Sequence, residues 1–162
     1  MKDNSKIVAV IPARLGSQRV KAKNLRMLGD KPLIYYMIQT LKKSKFVDEI
    51  YINSDSELFN EIAKRYDINF YKRDPKLATS ESMIDDYIFD FCKNVKCDVL
   101  AVANPTSPFL KTSELDSALQ NFFENDFDTQ LACEDIKTHC FYEGNPINFS
   151  TTGQHPRSQD LS

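Results

Sequence analysis

A short apolar run that ends directly in a cationic loop is the feature that most constrains this fold. Residues 7–12 are continuously apolar and rich in β-branched side chains, which predicts a strand buried on both faces of a sheet. Acidic residues are absent from Asn4 to Gly29, whereas lysine and arginine are frequent after the run. Ligands of open α/β sheets bind at the carboxyl ends of the strands, so the position of this positive charge favours an anion site.

The residues of this loop predict a polyphosphate site. We expect amide groups around Gly16 and Ser17 to surround phosphate oxygens, while Arg14 and Lys23 neutralise their charge. A solvated basic loop is the alternative, but the buried strand and the small residues beside the charges favour a site. The formal net charge of the chain is only -2, so its overall balance gives no reason to expect nucleic acid or a membrane as a partner.

Beyond this loop, the chain alternates predicted strands with predicted helices. The predicted strands are 7–12, 49–53, 69–71, 98–103 and 129–133, and the predicted helices are 32–41, 54–66, 81–93 and 112–125. A capping-box spacing from Ser54 to Glu57 indicates the start of the second helix, and Thr112 or Ser113 is expected to cap the fourth. The alternation indicates βαβ units, so we predict an α/β fold: a three-layer, Rossmann-like, mainly parallel sheet with helices on both faces.

The alternation ends near residue 134, which divides the chain. We expect residues 1–134 to form an α/β domain that carries the predicted polyphosphate site, and residues 135–162 to form a hairpin around Gly144-Asn145 with a polar arm. No run approaches the roughly 20 apolar residues of a transmembrane helix, and the amino terminus lacks the pattern of a signal peptide. A cytoplasmic location is therefore expected, with the four cysteines as reduced thiols rather than disulfides or zinc ligands.

Two common nucleotide-binding patterns are absent from the sequence. No GxGxxG follows the first strand and no GxxxxGK[ST] occurs anywhere, which disfavours a standard dinucleotide-binding domain and a P-loop NTPase. The chain contains only 4 glycines. A phosphate-binding loop here therefore depends on side-chain cations more than on a glycine-rich backbone.

Five segments occur in a distinctive order along the chain. They are Ile11-Pro-Ala-Arg14-x-Gly16-Ser17-x5-Lys23-Asn24, Ser54-Asp55, Arg73-x3-Leu77-Ala78, Pro105-Thr-Ser-Pro108 and Pro156-Arg157-x-Gln159-x-Leu161. In this order and spacing they resemble the CMP-sugar-acid synthetases, the acylneuraminate cytidylyltransferase family, over nearly the whole chain. The resemblance implies the nucleotide-diphospho-sugar transferase type of fold, CTP and an acidic sugar as partners, and Mg²⁺ as cofactor.

The resemblance also implies a reaction. The anomeric hydroxyl of a 2-keto sugar acid attacks the α-phosphate of CTP and pyrophosphate leaves, so catalysis depends on positioning and charge stabilisation. In the two catalytic roles, Arg14 corresponds to the arginine at the α-phosphate and Lys23 to the cation on the leaving phosphates. The nucleotide-binding residues that the resemblance implies are Ala13, Gly16, Ser17, Asn24, Arg73 and Ser82.

The resemblance assigns the base and the sugar to later loops. Arg73 and backbone groups near Ser82 correspond to contacts with cytosine, and the alternative for Arg73 is an exposed surface pair with Asp74. The sugar-binding positions are Asn104, Thr106, Ser107 and Arg157. Asn104 stands where the family has glutamine, which keeps the amide but shortens the side chain by one methylene.

Two residues bear on the oligomeric state and on which branch of the family the sequence resembles. Arg157 lies in the arm, which in the family crosses to a second subunit, so the resemblance implies a homodimer with shared active sites. The alternative for Arg157 is a solvated arginine in a polar tail. Asn24 after Lys23 favours the sialic-acid branch of the family over the Kdo branch.

Family members continue beyond the position that corresponds to Ser162, into a part that carries two closely spaced aspartates for magnesium. We therefore assign no metal ligand in this sequence. The expected function is a cytidylyltransferase that activates a sialic-acid-like nonulosonic acid. The alternatives are a catalytically impaired nucleotide-binding module and a nucleotidyltransferase for another sugar.

Overall fold

The computed structural model describes residues 4–17, 20–134, 137–153, 156–157, 159 and 161. The chain divides into two units, Met1–Phe127 and Asp128–Ser162. In chain order, the elements of the first unit are β1 (Ile7–Pro12), β2 (Met27–Leu28), β3 (Lys31–Pro32), α1 (Leu33–Lys42), β4 (Glu49–Ser54), α2 (Glu57–Arg65), β5 (Asn69–Lys72), α3 (Ile84–Asn94), β6 (Val99–Val102) and α4 (Thr112–Glu124). The second unit contains β7 (Phe141–Tyr142) and β8 (Asn145–Pro146). Within the described ranges, no helix has the length and apolar character that crossing a membrane requires.

A four-stranded parallel sheet organises the first unit. Its strand order is β5-β4-β1-β6, so β1 lies in the interior with β4 and β6 as its neighbours. The residues from Ile7 to Ile11 are fully buried, as their continuous apolar run predicts. The register pairs Pro12 with Asn53, so the carboxyl ends of β1 and β4 lie side by side. Parallel strands joined through helices confirm the predicted βαβ architecture.

Alternate side chains of β1 enter separate cores on the two faces of the sheet. Ala9 and Ile11 pack in the larger core with apolar residues of α1 and α2. Val8 and Val10 pack in the smaller core with Phe91 of α3. Successive side chains of a strand point to opposite faces, so these two sets place helices on both sides of the sheet. The predicted three-layer arrangement is therefore confirmed.

The capping residues predicted for two helices are wrong, because other residues occupy the N-cap positions. α2 begins after Ser56, whose Oγ accepts a hydrogen bond of 3.3 Å from the amide two residues later, whereas Ser54 is still the last residue of β4. At α4, the N-cap position is held by Lys111, so neither Thr112 nor Ser113 caps the helix. Both helices nevertheless occupy the predicted places in the chain.

The predicted strand at residues 129–133 is wrong. The segment forms neither helix nor strand, and Leu131, its one large apolar side chain, is 79% exposed. No described residue pairs with this segment, so it lacks the ladder hydrogen bonds and the burial that stabilise a strand. In the part of the chain that the structure describes, β6 is therefore an edge of the four-stranded sheet.

The hairpin predicted in the second unit is confirmed, with its turn one residue earlier than expected. β7 and β8 pair antiparallel, and positive φ values at Glu143 (49°) and Gly144 (82°) form the tight two-residue turn. The ring of Phe149 packs edge to face against His139 and Phe141, with centroids 4.7 and 5.2 Å apart. The second unit thus has its own small aromatic cluster.

Candidate active site

A cavity of about 710 Å³ lies at the carboxyl ends of the parallel strands. Its walls come from the segments that follow β1, β5 and β6 and from the start of α3. The lining residues are Pro12, Ala13, Arg14, Ser17, Val20, Lys23, Asn24, Arg73, Leu77, Thr79, Ser80, Ser82, Ile84, Tyr87, Asn104, Pro105 and Thr106. Open α/β sheets bind ligands at this position, which the charge of the first loop also predicted.

Most of the predicted site residues meet in this cavity. Those that line it are Ala13, Arg14, Ser17, Lys23, Asn24, Arg73, Ser82, Asn104 and Thr106. Gly16 and Ser107 are exposed and do not line it, and Arg157 is an exposed residue of the second unit. Sequence reasoning missed the parts of the wall that Thr79 and Tyr87 form.

Among the residues that the structure describes, the ionised side chains of the cavity wall are all positive. They belong to Arg14, Lys23 and Arg73, and none of the described lining residues is an aspartate or a glutamate. In the described parts of the chain, no three His, Cys, Asp or Glu side chains gather as a protein-held metal site requires. The wall therefore fits an anion, and its residues do not by themselves fit a bound metal ion.

Arg14 links two walls of the cavity. It follows β1 closely, is half-buried, and its Nη1 donates a hydrogen bond of 2.5 Å to the carbonyl oxygen of Thr79. Thr79 is fixed in turn by Ser82, since their hydroxyl oxygens are 2.9 Å apart and each amide donates to the other's hydroxyl at 3.2 Å. This hydrogen-bonded loop also explains why α3 begins at Ile84 rather than at the predicted residue 81. The guanidinium of Arg14 is thus oriented by a neutral acceptor.

Lys23 and Asn24 reach the cavity from a strained turn. They begin the 3₁₀ turn Lys23–Leu25, which follows Ala22 in the left-handed region at φ 48° and ψ 41°. A residue with a Cβ costs roughly 1–2 kcal/mol in this region, and such strain concentrates at functional sites. The Leu25 amide donates to the Ala22 carbonyl at 2.8 Å and holds the turn. The strained residue, Ala22, therefore lies directly before the two residues that the loop presents to the cavity.

One of the amides expected to bind phosphate, that of Ser17, already donates a hydrogen bond within the loop. The Ser17 amide donates to the carbonyl oxygen of Leu15 at 2.8 Å, which closes a tight turn about Gly16. A Cβ placed on Gly16 would meet no atom within 4 Å, and its φ is not left-handed, so neither space nor backbone requires glycine here. The expected amide contacts with phosphate stay a prediction, and the charge of the cavity comes from side chains.

Arg73 is the most enclosed cation of the site. Its exposed fraction is 3%, its Nε donates to Oδ1 of Asn53 at 2.7 Å, and its Nη2 donates to the Asn53 carbonyl at 2.8 Å. The guanidinium carbon lies 4.0 Å from the centre of the Tyr87 ring. Burial lowers the pKa of this guanidinium from its usual value, yet arginine stays charged in proteins. The alternative of an exposed pair with Asp74 is therefore wrong.

Asn53 joins the two walls that carry the arginines. This fully buried residue of β4 accepts the Ala13 amide at 3.0 Å on the same carbonyl oxygen that binds Arg73. Two buried atoms here have no hydrogen-bond partner among the described residues: Nδ2 of Asn53 and Oδ1 of Asp55. Sequence reasoning missed Asn53, although a buried-strand pattern that ends in asparagine was a signal for it.

The turn after β6 supplies the wall predicted to bind sugar. Asn104 and Thr106 line the cavity, and the Ser107 amide donates to the Asn104 carbonyl at 3.2 Å. The Ala103 amide donates to the carbonyl of Val10 at 2.9 Å, which fixes the start of this turn to β1. The cavity therefore combines a neutral polar wall with the cationic ones.

Comparison with known proteins gives an independent view of this site. The sequence pattern of the family described as cytidylyltransferase matches residues 8–158. An N-acylneuraminate cytidylyltransferase of Streptococcus agalactiae serotype V is 31% identical over 96% of this chain and 40% of its own length. A CMP-N,N'-diacetyllegionaminic acid synthase of Legionella pneumophila is 36% identical over 71% of this chain and 52% of its own length.

Solved structures share the fold. A CMP:2-keto-3-deoxy-manno-octonic acid synthetase complexed with CTP has a TM-score of 0.67 at 20% identity, over 75% of this chain and 49% of that one. A cytidylyltransferase from Leptospira borgpetersenii has a TM-score of 0.63 at 24% identity, over 75% of this chain and 50% of that one. These likenesses confirm the predicted nucleotide-diphospho-sugar transferase type of fold. The chain spans about half, or less, of the length of these relatives.

Proposed function

This chain belongs to the cytidylyltransferase family, and from that premise we propose that it transfers CMP from CTP to a sialic-acid-like nonulosonic acid. In this reaction, the anomeric hydroxyl oxygen of the sugar attacks the α-phosphorus and its proton passes to solvent. The bond from the α-phosphorus to the bridging oxygen breaks, and pyrophosphate leaves. The observation that carries the proposal is a cavity whose ionised wall residues are Arg14, Lys23 and Arg73. Such a wall matches the charge of a nucleoside triphosphate.

Arg14 and Lys23 supply charge at the phosphate end of the cavity. The planar guanidinium of Arg14 is suited to contact two oxygens of the α-phosphate, where charge reorganises as the new bond forms. Its hydrogen bond to the Thr79 carbonyl orients it before CTP binds, which supports a preorganised role. Lys23 acts as a point charge on the leaving pyrophosphate, and Asn24 donates to phosphate or ribose.

Arg73 stands at the proposed base end of the cavity. Two of its nitrogens are bound by Asn53, and its Nη1 makes no hydrogen bond to any described residue. We assign Nη1 as the donor to the carbonyl oxygen of cytosine, with backbone groups near Ser82 contacting the rest of the pyrimidine edge. Ala13 adjoins this end because its amide shares the Asn53 carbonyl with Arg73.

The sugar acid is assigned to the turn after β6. The amide of Asn104 and the hydroxyl of Thr106 stand on that wall, and relatives named for N-acylneuraminate and for diacetyllegionaminic acid support an acidic nonulosonic sugar. Ser107 and Arg157 are further proposed contacts. The contact by Arg157 requires a homodimer in which the arm reaches the partner's sugar carboxylate.

Magnesium and cell location belong to the same proposal. When bound, Mg²⁺ would neutralise part of the triphosphate charge. Because the described residues of the cavity wall include no carboxylate, none of the roles above is assigned through a metal held by this chain. The proposal places the chain in the cytoplasm, where CTP is supplied.

The test is pyrophosphate release by this exact chain with CTP and Mg²⁺. N-acetylneuraminate, a diacetyllegionaminic-type acid and Kdo are supplied separately, and calorimetric titration with CTP runs in parallel. Release that requires both CTP and one acid supports the enzyme and identifies its substrate. CTP binding without release supports the impaired nucleotide-binding module instead. Absence of CTP binding contradicts the assignment of the cavity.

A further inference from the structure

Arg73 is held on two sides by residues outside the five sequence segments that resemble the family. Asn53 accepts hydrogen bonds from Nε at 2.7 Å and from Nη2 at 2.8 Å, and the Tyr87 ring lies 4.0 Å from the guanidinium carbon. We call Asn53 and Tyr87 the Arg73 clamp. It binds two nitrogens of the guanidinium and places an aromatic ring beside it, while Arg73 still lines the cavity.

We propose that Asn53 is a positioning residue that orients Arg73 for the base of the nucleotide, an inference that rests on the proposed function. A free arginine side chain samples many rotamers, and ordering it during binding weakens affinity. The clamp orders the guanidinium before the ligand arrives, because two of its nitrogens and its central carbon are already in contact with Asn53 and Tyr87. Nη1 is therefore the donor that Arg73 presents to the base.

The side chain of Asn53 acts on the base end alone. Its backbone carbonyl holds the Ala13 amide and Nη2 of Arg73 whichever residue stands at this position. Loss of Oδ1 therefore releases only Nε of Arg73, and the wall that carries Arg14 keeps its hydrogen bonds. A positioning role thus predicts weaker binding of the base with unchanged binding of phosphate. A general structural role predicts that both become weaker.

The experiment compares the wild-type chain with Asn53→Ala, Asn53→Asp and the control Thr40→Val. Calorimetry measures affinity for CTP and for inorganic tripolyphosphate, which carries no base. Hydrogen exchange of the Arg73 Nε–H, followed by ¹⁵N NMR without ligand, reports on the clamp directly. Thr40 is a matched control, since it is also buried and its Oγ1 donates to the Leu110 carbonyl at 2.9 Å, but it does not line the cavity.

We expect Asn53→Ala to weaken CTP binding about tenfold while tripolyphosphate affinity changes less than about twofold. Exchange of the Arg73 Nε–H becomes faster because its acceptor is gone. The conservative Asn53→Asp keeps that acceptor, so CTP affinity stays within about threefold of the wild type. Thr40→Val leaves the affinity for both probes unchanged.

Unchanged CTP affinity in Asn53→Ala would overturn the positioning role, and so would an equal loss for CTP and tripolyphosphate or an unchanged Nε–H exchange rate. A wild-type chain that binds neither probe contradicts the proposed function instead. In that case, the Arg73 Nε–H exchange rates of the wild type and of Asn53→Ala still test whether Asn53 holds the arginine. If Asn53→Ala does not fold, Asn53→Ser takes its place, because its short hydroxyl removes the same contact while it keeps a polar group.

Discussion

The two arginines of the cavity are built into the protein in opposite ways. Arg14 stands in a loop, half-buried, with one hydrogen bond to a backbone carbonyl. Arg73 is almost fully buried, with two hydrogen bonds to Asn53 and an aromatic ring beside its guanidinium. Substitution of a loop cation with few contacts is expected to change activity but hardly to change folding stability. Substitution of an enclosed cation is expected to change both. The contrast predicts that substitutions at the two sites separate activity from stability.

The largest effect is expected for Arg14→Ala on turnover. Loss of a preorganised charge at the reacting phosphate lowers the rate of pyrophosphate release roughly 100- to 1,000-fold. The free energy of unfolding changes by less than about 0.5 kcal/mol, because the side chain makes few contacts. Steady-state release assays and chemical denaturation measure the two quantities. The matched control is Arg65→Ala, at an exposed position of α2, which is expected to keep full turnover. Full turnover in Arg14→Ala would refute the role assigned to Arg14.

Arg73→Met is expected to act on stability as well as on binding. The substitution fills a similar volume but leaves the buried Oδ1 of Asn53 without its donor. An unsatisfied buried polar group of this kind destabilises the protein by about 1–3 kcal/mol. CTP affinity falls together with stability, which calorimetry and urea denaturation detect. An unfolding free energy equal to that of Arg14→Ala would contradict the contrast between the two arginines.

A smaller effect is expected at the ring beside Arg73. Tyr87→Ala removes the cation–π contact and weakens CTP binding by about 0.5–2 kcal/mol, whereas Tyr87→Phe keeps the ring and stays near the wild type. Calorimetry with both variants separates the ring from its hydroxyl. Equal losses in the two variants would show that the hydroxyl, and not the ring, supports the arginine.

The smallest effect is expected for the strained turn of the first loop. Ala22→Gly relieves the left-handed conformation but adds freedom to the unfolded chain, so the net gain in stability is a few tenths of a kcal/mol at about 25 °C. Ala22→Val places a β-branched side chain at this φ and destabilises by about 1–2 kcal/mol. Thermal unfolding of both variants measures the difference. A stabilising valine would contradict the left-handed assignment.

Local signals predicted most of the fold. The strands β1, β4, β5 and β6 follow short apolar runs, and the helices between them follow the 3.6-residue period, because both patterns depend on near neighbours in sequence. The strand at residues 129–133 was wrong because burial depends on a partner strand, and the described chain supplies none. A run of five residues with one large apolar side chain cannot decide that question.

The candidate site was predictable where charge follows a strand end. Arg14 and Lys23 line the cavity, as the cationic loop after β1 predicted. Asn53 and Tyr87 were not predicted, because their contacts with Arg73 join different elements of the fold. The burial of Arg73 was missed for the same reason: a sequence shows its neighbour Asp74 but not the strand and helix that enclose it.

The shared oxygen between the two walls has a consequence for variation among related chains. The Ala13 amide and Nη2 of Arg73 meet on a main-chain carbonyl at position 53, and every amino acid supplies that atom. Genetic drift at this position can therefore change how the arginine side chain is held, but it cannot remove the common acceptor. The link between the two cationic walls therefore depends on the backbone alone, whereas the orientation of the Arg73 side chain also depends on which side chain stands at position 53.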